Sequence, residues 1–357
     1  MYQIINLYQT TIIKLLEGFS MKDRILISGI GQCGGNFAES FQKLGYHASA
    51  INTSNADLDS NNCKTKHHIP TAFGCHGDMN VALEYAKDYW IPMCEFHDKY
   101  FPRQDIVFFA GSVGGATGAR LIPIMLDIMS KRNPNKIYGA IIANPNKNES
   151  IQALKNARLS YKDITNVVNG KAIFSLDNNK YDRNKFELND IFAHKFNEVI
   201  NMTNPDMKGN VDESEIEFIL NCQGNAIIEE WDESPSGTKT FTPNPFVSYL
   251  AGAQRIAWIS KKEINIKELA FKVGSPKYQY HGFKSEKNLF IASGMRYPEI
   301  LMDEYNEIIE GYKGITDVKG LEYEPKQREI IKDVFVNKEV IETKPKFNDD
   351  YFNTYRS

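Results

Sequence analysis

Apolar residues along the chain fall into two alternating patterns. Four short, largely apolar runs read as strands: Ile25 to Ser28, Tyr46 to Ile51, Ile106 to Phe109, and residues 137–143, IYGAIIA. Runs without a polar side belong to strands buried on both faces. Between them apolar residues recur at helical spacing, with Phe37, Phe41 and Leu44 after the first run and LIPIMLDIM (121–129) after the third. Strands alternating with helices predict an α/β fold built on a parallel, Rossmann-like sheet. Ligands of such sheets bind outside the carboxyl ends of the strands.

Glycines gather at two of those ends. GIGQCGG (29–35) follows the first strand and AGSVGGATGAR (110–120) overlaps the end of the third. One glycine at a strand-to-helix corner supplies a positive φ or a close approach. Four in one loop exceed what a corner needs. Bare backbone lets N–H groups at a helix N-terminus reach an anion, with the positive end of the helix dipole behind them. The pattern favours a phosphate cradle over a tight turn.

The second half changes character. Residues 187–202 read as one long helix that ends before Pro205. From about 222 onward come short strands, Asn225 to Ile228 and Leu289 to Ala292, and helices at 246–260 and 298–311. They predict a smaller α+β C-terminal domain. A charged helix is expected over 322–342. The tail 343–357 lacks a core-forming pattern and is expected to be mobile. Its Lys344, Lys346, Arg356, Phe347, Tyr351, Phe352 and Tyr355 suit a protein surface or an anionic partner. At the other end, Ile5, Tyr8, Ile12, Leu15 and Leu16 predict an amphipathic N-terminal helix, docked on its own domain, a neighbouring subunit or a membrane surface. It has no basic leader region, and Lys14 interrupts its apolar run, unlike a secretory signal. The expected organisation is an N-terminal helix (1–20), a nucleotide domain (21–205), a loop and helix (206–221), a C-terminal domain (222–321), and a helix with tail (322–357).

Composition narrows the partners. A formal charge of −3, from 42 Lys+Arg against 45 Asp+Glu, argues against bulk nucleic-acid binding. Five cysteines, an odd number with no C-x-x-C pair, read as reduced thiols of a cytoplasmic protein. No stretch is long and apolar enough to span a bilayer.

GIGQCGG fits the dinucleotide fingerprint G-x-G-x-x-G, which also requires an acid at the end of the second strand. That strand ends in Asn52 and Thr53, and Asp57 comes too late. A Walker A run is absent. Two glycine loops without the Walker lysine form a rarer design. GGATGA (114–119), preceded by GSV, resembles the G-G-G-T-G-[ST]-G signature of the tubulin and FtsZ GTPases. GIGQCGGN resembles their first nucleotide loop, INTSNADL (51–58) their second, FGCHGDMN (73–80) the third, and NPNKNES (144–150) the ribose loop. The helix from Asn189 and GNVDESE (209–215) match the central helix and the loop after it. The resemblance covers about residues 22–220 and looks most like the plasmid- and phage-borne segregation branch, TubZ. Ala116, Arg120, His76 and Ala153 depart from the family pattern.

The resemblance implies a polymerising GTPase with GTP/GDP and Mg2+ as ligands. Gly114, Gly115, Ala116, Thr117 and Gly118 would hold the phosphates, with Gly31, Gln32 and Cys33 from the first loop. Asn52 belongs to the second loop, and Gly74 and Gly77 to the loop that senses the γ-phosphate. Asn36, Asn144 and Glu149 stand at ribose or base positions. Asn189 and Asp190 match the base-reading pair, a carboxylate being able to accept from both guanine N1–H and its 2-amino group; both residue types also cap helices. Phe186 either stacks on the base or packs in the core. Asn210, Asp212 and Glu215 on spacing alone suit the first turn of a helix, favourable with its dipole. The resemblance makes them the residues that act on the nucleotide of an adjacent subunit. It further implies a head-to-tail filament and a DNA-binding adaptor on a centromere-like site, engaged through the C-terminal tail. Two other readings remain at this point: a Rossmann-type NAD-dependent oxidoreductase, and a GTP-binding scaffold without turnover.

Overall fold

The computed structural model describes residues 20–180, 185–202, 210–242, 245–248, 252–296, 298–316 and 347–356. The N-terminal helix expected over 1–20 (but for Ser20) and the charged helix expected over 322–342 lie outside them. The nucleotide-side elements are α1 (Met21–Arg24), β1 (Ile25–Ile30), α2 (Gly31–Lys43), β2 (His47–Asn52), α3 (Asn55–Asp59) and β3 (Lys66–His68). They continue with α4 (Met79–Tyr100), β4 (Ile106–Ser112), α5 (Ala116–Arg132), β5 (Ile137–Asn144), α6 (Ile151–Thr165) and β6 (Ala172–Asp177). Then come α7 (Lys185–Ile200), α8 (Glu213–Leu220), β7 (Gly224–Glu233), β8 (Lys239–Phe241), β9 (Arg255–Ser260) and α9 (Ala270–Val273). The series ends with β10 (Tyr278–Phe283), β11 (Leu289–Met295), α10 (Glu299–Thr316) and α11 (Asp349–Asn353).

One sheet runs through the molecule in the order β10-β9-β11-β7-β6-β5-β4-β1-β2-β3, with β8 paired to β7. From β3 to β7 every pairing is parallel. β11 is antiparallel to both β7 and β9. The α+β character expected after residue 222 is therefore carried by strands that extend the same sheet. The helix expected over 246–260 is not formed. Residues 255–260 (RIAWIS) are strand β9, and Gly252 takes a φ of +147° that no α-helix contains. Its β-branched and aromatic residues suit a strand buried between two others.

The sheet is covered on both faces, which is why its central strands lack a polar side. Along β4, Ile106, Phe108 and Ala110 enter one core, and Val107 and Phe109 the other. This is the period-two alternation of a strand. The first core holds α2 and α7 through Phe37, Phe41, Phe192 and Phe196. Phe37 and Phe41 meet the α7 rings, and Phe192 and Phe196 in turn meet Phe174 and Phe108 of the sheet, all edge-on or tilted at 5.3–6.4 Å. α7 presents Leu188, Phe192, Phe196 and Val199 to this core at helical spacing. The second core holds α4, α5, α6 and α10.

The tail does not behave as its sequence suggests. Within residues 347–356, Phe352 and Tyr355 are buried in the second core. Asn348 caps the short helix α11. The Tyr351 hydroxyl donates to Asp127 Oδ2 at 2.6 Å, and Lys131 Nζ reaches the same oxygen at 2.6 Å. Phe347 meets Trp90 edge-on at 5.2 Å. The aromatic residues expected to await a partner are thus spent on α4 and α5 of their own chain. Short apolar clusters lack periodicity when a segment docks as one turn and a few side chains.

Candidate functional site

At the carboxyl ends of β1, β2 and β4 lies a cavity of about 620 Å³. Gly31, Gln32, Cys33, Asn36, Asn52, Gly74, Gly77, Gly115, Ala116, Thr117, Gly118, Glu149 and Asn189 all line it. The glycines there divide by role. A Cβ on Gly34 would lie 2.3 Å from Ala110 O, and one on Gly118 2.6 Å from Ser112 O, so these let helices press onto strands. Gly31 takes φ +75°, the left-handed turn that lets β1 pass directly into α2. Gly115 faces open space, with nothing within 4 Å of a built Cβ, and it begins α5 without a side-chain cap. The first backbone N–H groups of α2 and α5, which have no partner within their helices, belong to the cavity wall. That is the donor set a phosphate chain requires.

Hydroxyls complete the floor. Thr53 Oγ1 and Thr117 Oγ1 are 2.9 Å apart, and Cys75 Sγ lies 3.5 Å from each. Thr53, Ser54, Cys75, His76 and Asn178 line the cavity but are not among the expected site residues. The position of Thr53 directly after β2 was a usable signal, because ligands sit beyond strand carboxyl ends. Phe73, on the cavity rim, is 86% exposed.

The remaining expected residues lie off the lining. Gly114 sits behind the loop, where a Cβ would be 3.0 Å from Pro145. Asn144 is buried, and its amide donates to Ser175 Oγ and Leu176 O. Asp190 is exposed and accepts from Ser40 Oγ at 2.5 Å, beside Asn189, which does reach the cavity. The Phe186 side chain lies outside the described residues. The Arg120 departure leaves the cavity untouched: its guanidinium is buried against Met79 O and Asp163. Ala153 packs beside Gly114, and its amide caps onto Ser150.

Asp212 and Glu215 stand elsewhere. Asp212 caps α8 and accepts from the Glu215 N–H at 2.8 Å, while Glu215 Oε2 accepts from the Asp212 N–H at 3.0 Å. Neither they nor Asn210 lines the cavity. The Ser214 hydroxyl and the Glu215 amide hold the Asp212 carboxyl below its ordinary value, whereas burial raises that of Glu215. Among the described residues no group of three or more His, Cys, Asp or Glu side chains forms a metal cage. The site's hydroxyls and amides fit a cation held mainly by phosphate oxygens and water. No described helix is long and apolar enough to cross a membrane.

A phosphate cradle at the carboxyl end of a parallel sheet that continues into antiparallel strands defines a tubulin-like nucleotide protein. The chain is 32% identical over 301 residues to a tubulin-like protein TubZ of Clostridium botulinum C phage, covering 81% of this chain and 84% of that one. The chain belongs to this TubZ family within the tubulin/FtsZ superfamily. A solved structure of the phage c-st TubZ with its C-terminal tail truncated superposes with a TM-score of 0.74 at 30% identity, over 83% of this chain and 99% of that chain. The fold is shared with a GTPγS-form protofilament of Bacillus thuringiensis serovar israelensis TubZ, at TM-score 0.65 and 14% identity, over 84% and 96% of the two chains. No family model matches the chain.

Proposed function

We propose that the chain binds GTP in this cavity, polymerises head to tail, and hydrolyses GTP at the contact between subunits. The observation that carries the reading is a separation. The glycine cradle is complete in one chain, but the acidic pair Asp212 and Glu215 forms no part of its wall. α7 reaches the cavity at Asn189, in its second turn, and from there to Ile200 runs roughly 16 Å towards α8. A second subunit stacked on the first would bring its own acidic pair to the cradle. Contact between two different surfaces is heterologous and propagates as an open filament. Phe73, apolar and exposed on the rim, suits a surface that such stacking would cover.

Gly115 to Gly118 and the start of α2 would hold the phosphates through backbone N–H groups. Asn36 and Glu149 would meet the ribose, and Asn189 the guanine edge. Mg2+ would neutralise phosphate charge, with Thr53, Thr117 and Gln32 as neighbours to its waters. The two carboxyls are pushed apart in acidity, Glu215 towards the better base, which suits it to accept a proton from the attacking water. The cellular role we assign to such a filament is segregation of plasmid or phage DNA through a DNA-binding adaptor. Sedimentation with GTP, GDP, ATP and GTPγS, with phosphate release followed in parallel, tests the reading. Pelleting and turnover specific to GTP are expected. Tight NAD binding without nucleotide-dependent pelleting would assign an oxidoreductase instead, and GTP binding without turnover a scaffold.

A further inference from the structure

A second cavity, of about 510 Å³, lies between α6 and α10 and shares no lining residue with the first. Its α6 wall carries Lys155, Arg158 and Lys162, with Leu159 among them at 37% exposure. Residues 155, 158, 159 and 162 follow helical spacing and so form one stripe. None of the three cations makes an ion pair among the described residues, although each stands within one helix of carboxylates.

The same helical layer carries the opposite pattern. On α4, Glu84, Asp88, Ile91 and Glu95 form an exposed ridge at helical spacing, with Ile91 44% exposed in its middle. The docked tail brings Asp349 near enough to Asp88 for their like charges to act on each other. Burial raises the Asp88 carboxyl, and the like charges of Glu84 and Asp349 raise it further. Glu84 is partly offset by Lys87 and Arg356, whereas Asp88 and Glu95 have no ion-pair partner among the described residues. The stripe on α6 is about 10 Å long and the ridge on α4 about 16 Å. Each has an exposed aliphatic residue between its charges.

We propose that the α6–α10 groove receives the acidic α4 ridge of a second copy, joining filaments side by side. This rests on the filament reading above. α4, α5, α6 and α10 pack in that order on one face of the sheet, so the two surfaces flank the layer rather than coincide. The contact is heterologous and open-ended, giving sheets or bundles rather than closed pairs. Asp303 and Glu310 on the α10 wall confine the basic character of the groove to its α6 side, so the ridge is received against the α6 stripe.

The test is a charge swap in the full-length protein, assembled with GTPγS. Low-speed pelleting collects bundles, and high-speed pelleting collects single filaments. Arg158→Glu with Lys162→Glu should cut the low-speed fraction at least about fivefold, as should Asp88→Arg with Glu95→Arg, because like charges then face each other. High-speed pelleting and GTP turnover should stay at wild-type levels. Mixing the two variants one to one should restore the bundles, and 0.5 M salt should dissolve them in the wild type. Bundles unaffected by either reversal, or not restored by mixing, would overturn the lateral contact alone. Retention on double-stranded DNA that Arg158→Glu abolishes would assign the groove to a polyanion and also overturn it. A wild-type chain that forms no polymer at either speed would overturn both this contact and the filament reading.

Discussion

Gly115 and Gly118 lie three residues apart, one capping α5 and the other in its first turn, yet a side chain would act oppositely at the two. Gly115 has an ordinary extended backbone and open space before it, whereas a methyl at Gly118 would strike the Ser112 carbonyl. Gly115→Trp should therefore fold with a melting temperature near that of the wild type while losing GTP binding. Gly118→Ala should cost roughly 1–3 kcal/mol of stability, the usual penalty of overpacking. Thermal melts beside a GTP titration separate the two outcomes. A different residue governs acid stability. His97 is fully buried, with Nδ1 placed to donate to Met93 O and Nε2 to accept from Ser28 at 2.8 Å. Burial pushes its pKa down to about 4 from an ordinary 6.5. The unfolded chain then takes up the proton first, so stability falls as pH drops from 6.5 towards 4, by about 2 kcal/mol between pH 7 and pH 5. Asp163 acts the other way. Burial raises it to about 6 against the opposing charge of Arg120, so its contribution grows as pH falls from 6 towards 3.8. His97→Gln should remove most of the acid loss, seen as urea midpoints that no longer differ between pH 7 and pH 5 in the destabilising direction. An unchanged gap would show that other groups set it.

At the scale of elements, the tail makes the clearest prediction. Truncation after residue 342 removes the buried Phe352 and Tyr355 and leaves Asp127 with Lys131 alone. Losing two buried aromatic side chains costs several kcal/mol, on the order of 2–3 each. The unfolding midpoint should fall sharply, and Tyr351→Phe alone should cost about 1 kcal/mol. A truncated chain as stable as the whole would mean the docking is energetically empty. The central strands and α7 were legible in the sequence because burial on two faces leaves unbroken apolar runs and a long helix leaves an unmistakable period. The glycine loops were legible because backbone donors need bare residues. The docked tail and β9 were not. A single helical turn has no period to read, and RIAWIS is as apolar as a buried helix would be. Thr53 and Cys75 escaped because hydroxyl and thiol become a site only when β2 and the loop after it fold together.

For the whole molecule, the decisive feature is that cradle and acidic pair belong to opposite ends of α7. Glu215→Ala should bind GTP, assemble more completely, and lose turnover by about 10²–10⁴-fold, the range of general-base catalysis. Mixing it with Gly115→Trp should partly restore phosphate release. The first variant supplies a working cradle and the second an intact Glu215. Turnover that is first order in protein, and persists at concentrations where nothing pellets, would show one chain to be sufficient.

The docked tail also decides where a label can be carried. Arg356 lies 3.9 Å from Glu84, so the last described residues are pinned against α4. A fluorescent protein fused after them would not trail on a flexible leash. It would be held over the acidic ridge, beside Trp90 and Asp88, and would shield that flank from any neighbour. Filaments imaged through such a fusion would look thinner than native ones. Their apparent width would report the position of the tag rather than the number of strands.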